Sequence, residues 1–129
     1  MTVTLFYASL LGLLYLVIAG RVGRYRAKAR IAFGTAQDHE MEVRMRVQAN
    51  FVEYVPFALL LLALLESVSA SRYGLHVLGI LLLVGRILHA WGLSRGGTIN
   101  AARGVGAGLT LLVCLVEVVW GLWLAIPAL

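Results

Sequence analysis

The chain has 129 residues, 61% hydrophobic and only 13% charged, with a net charge of +5 and a mean hydropathy of +0.91. A soluble domain is nearer half apolar and about a quarter charged, so the composition excludes a water-soluble fold and leaves no room for a separate soluble domain. One cysteine, Cys114, excludes an internal disulfide and a cysteine cluster, and the histidines show neither His-x-x-x-His nor Glu-x-x-His spacing, so no metal is expected.

The apolar residues fall in four blocks, read as one transmembrane domain over residues 1–129 with spans near 3–20, 48–70, 75–93 and 104–126. The first block has no charged segment before it and no Ala-x-Ala exit, so it reads as a retained helix rather than a signal peptide. Ala8 and Gly12 offer it a small-residue packing stripe. Arg21 to Arg46 is polar and basic, with a turn expected at Gly34-Thr35-Ala36-Gln37. Its first part extends the first helix beyond the membrane, and Glu40 to Arg46 begins the second. Pro56 lies inside the second span, where it removes one backbone hydrogen bond and tends to kink the helix. Ser71-Arg72-Tyr73-Gly74 is expected to turn the chain into the third span, and a polar loop with Gly96-Gly97 follows it. Gly104 and Gly108 form a Gly-x-x-x-Gly at the start of the fourth span.

Four spans with short connections imply an antiparallel four-helix bundle in a lipid bilayer. The first connection holds Arg21, Arg24, Arg26, Lys28, Arg30, Arg44 and Arg46, the second only Arg72, and the third Arg95 and Arg103. The positive-inside rule then puts the first and third connections in the cytoplasm and both termini outside it. Topology accounts for the basic excess, so nucleic acid is not an expected partner.

Several polar groups stand where apolar ones belong. Arg46, Asn50, Glu53 and Phe57 share one helical stripe. A charge at the centre of a span costs roughly 2.5–3.5 kcal/mol on insertion scales. At about 1.5 Å of rise per residue, Glu53 lies roughly 7–8 Å and Arg86 roughly 10 Å below the cytoplasmic surface, so the two are expected to meet. His89 shares the face of Arg86. One polar pocket is therefore expected from Arg46, Asn50, Glu53, Tyr54, Arg86 and His89, overhung by Arg103. Either these groups pair only with one another, or the surplus of arginine over carboxylate accepts an anionic ligand. Gln48 points away from the Arg46 stripe, toward an interface or a neighbouring copy's site. Glu117 lies too deep for the pocket and has no nameable partner.

Arg46-x-Gln48-x-Asn50-x-x-Glu53-Tyr54-x-Pro56 resembles the second-helix motif of the MAPEG family, membrane-associated proteins in eicosanoid and glutathione metabolism. Arg86-x-x-His89-x-x-Gly92 is similar to its third-helix motif, and Arg103-x-x-Gly106 followed by Thr110 to its fourth-helix entry. The Ala32-Phe33-Gly34 turn looks most like the small bacterial branch. The resemblance covers nearly the whole chain. It implies a homotrimer in a bacterial inner membrane, with glutathione as co-substrate bound between neighbours near the cytoplasmic face. Carried over by position, Arg46, Asn50, Glu53 and Tyr54 would hold the tripeptide, with Gln48 and Arg24 as further contacts. Arg86 and His89 would line the floor, and Arg103 would face the thiol as the catalytic residue. The implied activity is glutathione transfer to hydrophobic electrophiles, or peroxide reduction, in detoxification. Several family enzymes carry a tyrosine where this chain has Leu93, and the missing hydroxyl keeps open a non-catalytic lipid- or partner-binding protein on the same scaffold. A small transporter using Glu53 or Glu117 is the third reading, and the strong loop bias counts against it.

Overall fold

A computed structural model describes residues 1–95 and 99–129. It holds four long helices, α1 (Thr2–Ala29), α2 (His39–Ser67), α3 (Arg72–Leu93) and α4 (Ala101–Ala125), and a closing 3-10 turn at Ile126–Ala128. All four are long and apolar enough to cross a membrane, and among the described residues there is no strand. Large apolar side chains such as Phe6, Leu60, Leu112 and Trp123 stand exposed around the bundle. Helices that are hydrophobic on the outside as well as the inside belong in lipid. This is a multi-pass membrane protein built as a four-helix bundle.

Each helix turns one regular stripe inward. On α2 the buried positions from Val47 onward are Val47, Phe51, Val55, Ala58, Leu62 and Leu65, and on α4 they are Gly106, Thr110, Val113 and Glu117. Steps of three and four match the 3.6-residue turn. The main core joins these to Val3, Tyr7, Leu11 and Ile18 of α1 and to Leu75, Leu78 and Leu82 of α3.

The basic end is fixed by local chemistry. Helix α1 has 28 residues, about 42 Å at 1.5 Å each, against a hydrocarbon core of about 30 Å. Its last turns therefore stand clear of the membrane, as expected for the basic extension. There Val22, Ile31 and Met41 form a second small core, flanked by Tyr25 and Met45. Helix α1 stops at Arg30, which takes a left-handed φ of 56°, and Arg26 reaches forward to donate to the Gly34 carbonyl at 3.1 Å. The turn at residues 34–37 forms as expected, with positive φ at Gly34, Ala36 and Gln37. Asp38 caps α2 by accepting from the Met41 amide at 2.8 Å, and the Tyr25 hydroxyl donates to its other oxygen at 3.0 Å.

At the opposite end, Glu66 of α2 accepts from the backbone amides of Val3 at 2.9 Å and Thr4 at 2.8 Å. A carboxylate from a neighbouring helix thus serves the first amides of α1, where both the helix dipole and the orphan N–H groups favour it.

Three sequence expectations change. The α2–α3 turn comes earlier than Ser71–Gly74: α2 ends at Ser67, Ser69 takes a positive φ of 60°, and Arg72 is already helical. The Gly-x-x-x-Gly pair does not pack within the bundle, since a Cβ on Gly104 or Gly108 would meet nothing within 4 Å, and the same holds for Gly12. The close approach falls on Gly106 instead, where a Cβ would lie 2.4 Å from the His89 amide nitrogen and 2.5 Å from the Gly85 carbonyl oxygen. The expected Gly96-Gly97 loop centre lies outside the described residues.

Candidate functional site

Asn100 fixes where α4 begins. Its side-chain oxygen accepts from the Arg103 amide at 3.0 Å, and its amide nitrogen donates to the Gly92 carbonyl at 2.8 Å. One side chain therefore caps α4 and ties it to the end of α3. Gly92 must lack a side chain for this, because a Cβ there would sit 2.5 Å from the Arg103 nitrogen. Gly106, one turn on, lets the two backbones touch. This close packing delivers the Arg103 carbonyl to His89, whose Nδ1 lies 3.2 Å from it. A carbonyl only accepts, so Nδ1 carries the proton. The other ring nitrogen is buried and has no hydrogen-bond partner among the described residues.

Helix α2 faces this pair. Arg86 of α3 is 1% exposed, and its guanidinium donates to the Asn50 side-chain oxygen at 2.7 Å. The same guanidinium lies 5.7 Å from the centre of the Phe51 ring, within cation–π range. Its Nε is buried and without a partner among the described residues.

Above this buried bond opens a cavity of about 250 Å³, lined by His39, Glu42, Arg46 and Asn50 of α2, His89 and Leu93 of α3, and Arg103. A smaller space of about 40 Å³ lies against Asn50 and His89 as well, and reaches Tyr54 and Thr110. The structure thus brings together Arg46, Asn50, Tyr54, Arg86, His89 and Arg103. With Arg46 and Arg103 on the wall, Arg86 behind it and Glu42 as the carboxylate in the lining, positive charge is in excess. That balance complements negative rather than positive charge.

Three expected members are not brought into this cavity. Glu53 is exposed and lines neither space; the expected Glu53–Arg86 contact is replaced by Asn50, one turn earlier on the same stripe. Gln48 is half-buried and lines neither space. Arg24 is exposed, donates to the Gly20 carbonyl at 3.3 Å, and borders a different recess with Arg21, Lys28 and Arg44. Two residues on the wall were missed, His39 and Glu42. They continue the stripe of Arg46 and Asn50 backward by one and two turns, so extending that stripe past the membrane entry would have found them.

The MAPEG family model matches residues 4–123. The chain belongs to the MAPEG family. Inner membrane protein YecN of Escherichia coli (strain K12) is 32% identical over 121 residues, covering 94% of this chain and 91% of its own length. Uncharacterized protein sll1147 of Synechocystis sp. is 32% identical over 118 residues, covering 85% of this chain and 83% of its own. MAPEG membership agrees with the four-helix fold and with the motif residues that gather at the basic end.

Proposed function

We propose that this protein is a membrane-bound glutathione transferase that joins the glutathione thiolate to hydrophobic electrophiles. The observation that carries the reading is the cavity at the basic end, where Arg46, Asn50, Arg103 and His89 converge over the buried Arg86. Glutathione has two carboxylates, one ammonium and a thiol. The arginines suit its carboxylates, and Glu42 or Glu53 suits its ammonium. Glu53, Gln48 and Arg24 stand outside one protomer's cavity, which fits a homotrimer in which the tripeptide lies between neighbours and touches both. The likeness to an inner membrane protein supports placement in a bacterial inner membrane, and the loop charges support a cytoplasmic site with both termini outside.

In the reaction, the thiol loses its proton to water and the thiolate sulfur forms a bond to an electrophilic carbon, whose leaving group departs with the electron pair. A free thiol has a pKa of about 8.5, and lowering it by two units needs about 2.7 kcal/mol. One charge-assisted hydrogen bond, worth about 1.5–3 kcal/mol, is enough, and Arg103 is its proposed donor. Lipid-soluble electrophiles arrive through the bilayer.

The test is calorimetric titration of the solubilised protein with glutathione, then thiolate absorbance and turnover with a chromogenic electrophile. Binding with a thiolate band that falls in Arg103→Ala is expected. Absence of glutathione binding refutes the reading. Leu93, buried and on the cavity wall, favours a second reading, in which the site binds without catalysis. Saturable glutathione binding with no turnover across several electrophile classes would establish it.

A further inference from the structure

The structure assigns a second ligand site, in the half of the bundle away from the basic end: an apolar cavity between α2 and α4 with Glu117 among its lining residues and the Glu117 carboxyl buried just behind them, suited to a lipophilic amine. The cavity measures about 440 Å³ and is lined by Leu61 and Leu65 of α2, by Val68 just past its end, and by Glu117, Gly121 and Leu124 of α4. On each helix these residues follow one another at steps of four and three, so two stripes face each other across the space. Gly121 borders open space, since a Cβ there would meet nothing within 4 Å. The volume falls within the roughly 300–1,000 Å³ typical of small-molecule sites.

Glu117 is the chemical signal. It is 1% exposed, and both carboxyl oxygens are buried without a hydrogen-bond partner among the described residues. The group bonds no neighbouring helix, so it does nothing visible for packing. In hydrocarbon a carboxyl with no donor is costly whether ionised or neutral, because either form leaves a polar atom unsatisfied. A ligand with an ammonium group supplies those donors, and its hydrocarbon part fills the leucine-lined volume. A carboxylate ligand would be repelled, and a strongly hydroxylated one would find few polar partners on these walls. Glu117 is fourteen residues beyond Arg103, about 21 Å along α4, so this site is separate from the glutathione cavity and stands whether or not glutathione binds.

The experiment uses three probes of one chain length: dodecylamine, dodecanol and dodecanoate. Each is titrated into the detergent-solubilised full chain, and native mass spectrometry counts the molecules retained per chain. The amine is expected to saturate at one per chain, with neither alcohol nor acid doing so. Glu117→Gln should weaken amine binding about tenfold or more, the weight of one charge-assisted hydrogen bond. Gly121→Leu narrows the cavity while leaving the Glu117 carboxyl in the chain and should weaken amine binding; it decides the matter if Glu117→Gln fails to fold. Equal retention of amine and alcohol would mean that the space takes any alkyl chain, a lipid's included, and would overturn the proposal. So would undiminished amine binding in Glu117→Gln, or none in the wild type.

Discussion

The bond from Arg86 to Asn50 gives the sharpest test of how this bundle holds its charges. Arg86 is 1% exposed and donates to the Asn50 oxygen at 2.7 Å; its guanidinium also lies 5.7 Å from the centre of the Phe51 ring. Asn50→Ala removes the acceptor and leaves the cation in place. A hydrogen bond to a charged group contributes about 1.5–3 kcal/mol, and the buried donor left behind carries its own desolvation cost. A loss of at least about 1.5–3 kcal/mol is expected. Arg86→Met removes the charge together with its need for a partner, and replacing a buried ion by an apolar side chain of similar volume is often neutral or stabilising. The order of stability should therefore be wild type close to Arg86→Met, with Asn50→Ala well below both. In the double variant Asn50→Ala costs almost nothing further, so the cycle should return a coupling of about 1.5–3 kcal/mol. Reversible unfolding in mixed micelles, followed by circular dichroism, measures it. An Asn50→Ala variant within about 0.5 kcal/mol of wild type, or two effects that simply add, would refute the reasoning.

Other outcomes follow from the same geometry. Gly106→Ala places a Cβ 2.4 Å from the His89 backbone nitrogen, which cannot step aside alone, so α3 and α4 must separate at a cost of about 1–3 kcal/mol. Gly104→Ala and Gly108→Ala meet no atom within 4 Å and should gain up to about 1 kcal/mol from helix propensity; thermal melts of the three compare them, and equal losses would contradict the assigned face. Glu66→Ala strips the acceptor from the Val3 and Thr4 amides and should cost about 1–2 kcal/mol, with faster hydrogen exchange confined to the first turn of α1. Exchange that stays slow there would show that the carboxylate is not the cap. The Met41 amide, with the Tyr25 hydroxyl adding to it, holds the Asp38 carboxyl below the usual range despite partial desolvation. Its folded pKa is depressed, so its contribution is complete above the unfolded value of about 3.9 and is lost as pH falls through the folded one. Between pH 6 and 2 the wild type should lose more thermal stability than Asp38→Asn, which still caps but does not titrate. Parallel losses would sink that assignment.

The four spans, the basic extension of α1 and the turn near Gly34 were readable in the sequence because block length and charge act locally. The grouping of Arg46, Asn50, Tyr54, Arg86, His89 and Arg103 was readable for a related reason: helical spacing puts residues on one face, and depth from the membrane entry puts them at one level. Rotation of a helix against its neighbour is set by packing and was not readable. Asn50 and Glu53 share a stripe and differ by about 4.5 Å in depth, so nothing in their spacing decides which one meets Arg86. The glycines teach the same lesson. Gly104 and Gly108 carry the recognisable motif, yet Gly106 between them meets α3, because the inward line of α4 runs through Gly106, Thr110, Val113 and Glu117. His39 and Glu42 escaped because the stripe was followed only from the membrane inward.

The small core of Val22, Ile31 and Met41 outside the membrane has a practical result for anyone handling this protein. Arg21, Arg24, Arg26 and Lys28 are all targets for trypsin, yet all lie within the unbroken α1 helix, and a protease needs extended chain. Arg30 ends that helix, but cutting after it requires lifting Ile31 from its packing against Met41. Limited digestion should therefore spare the most basic stretch of the chain until that cluster comes apart, making the rate of its cleavage a simple gauge of whether a preparation is still folded where it meets water.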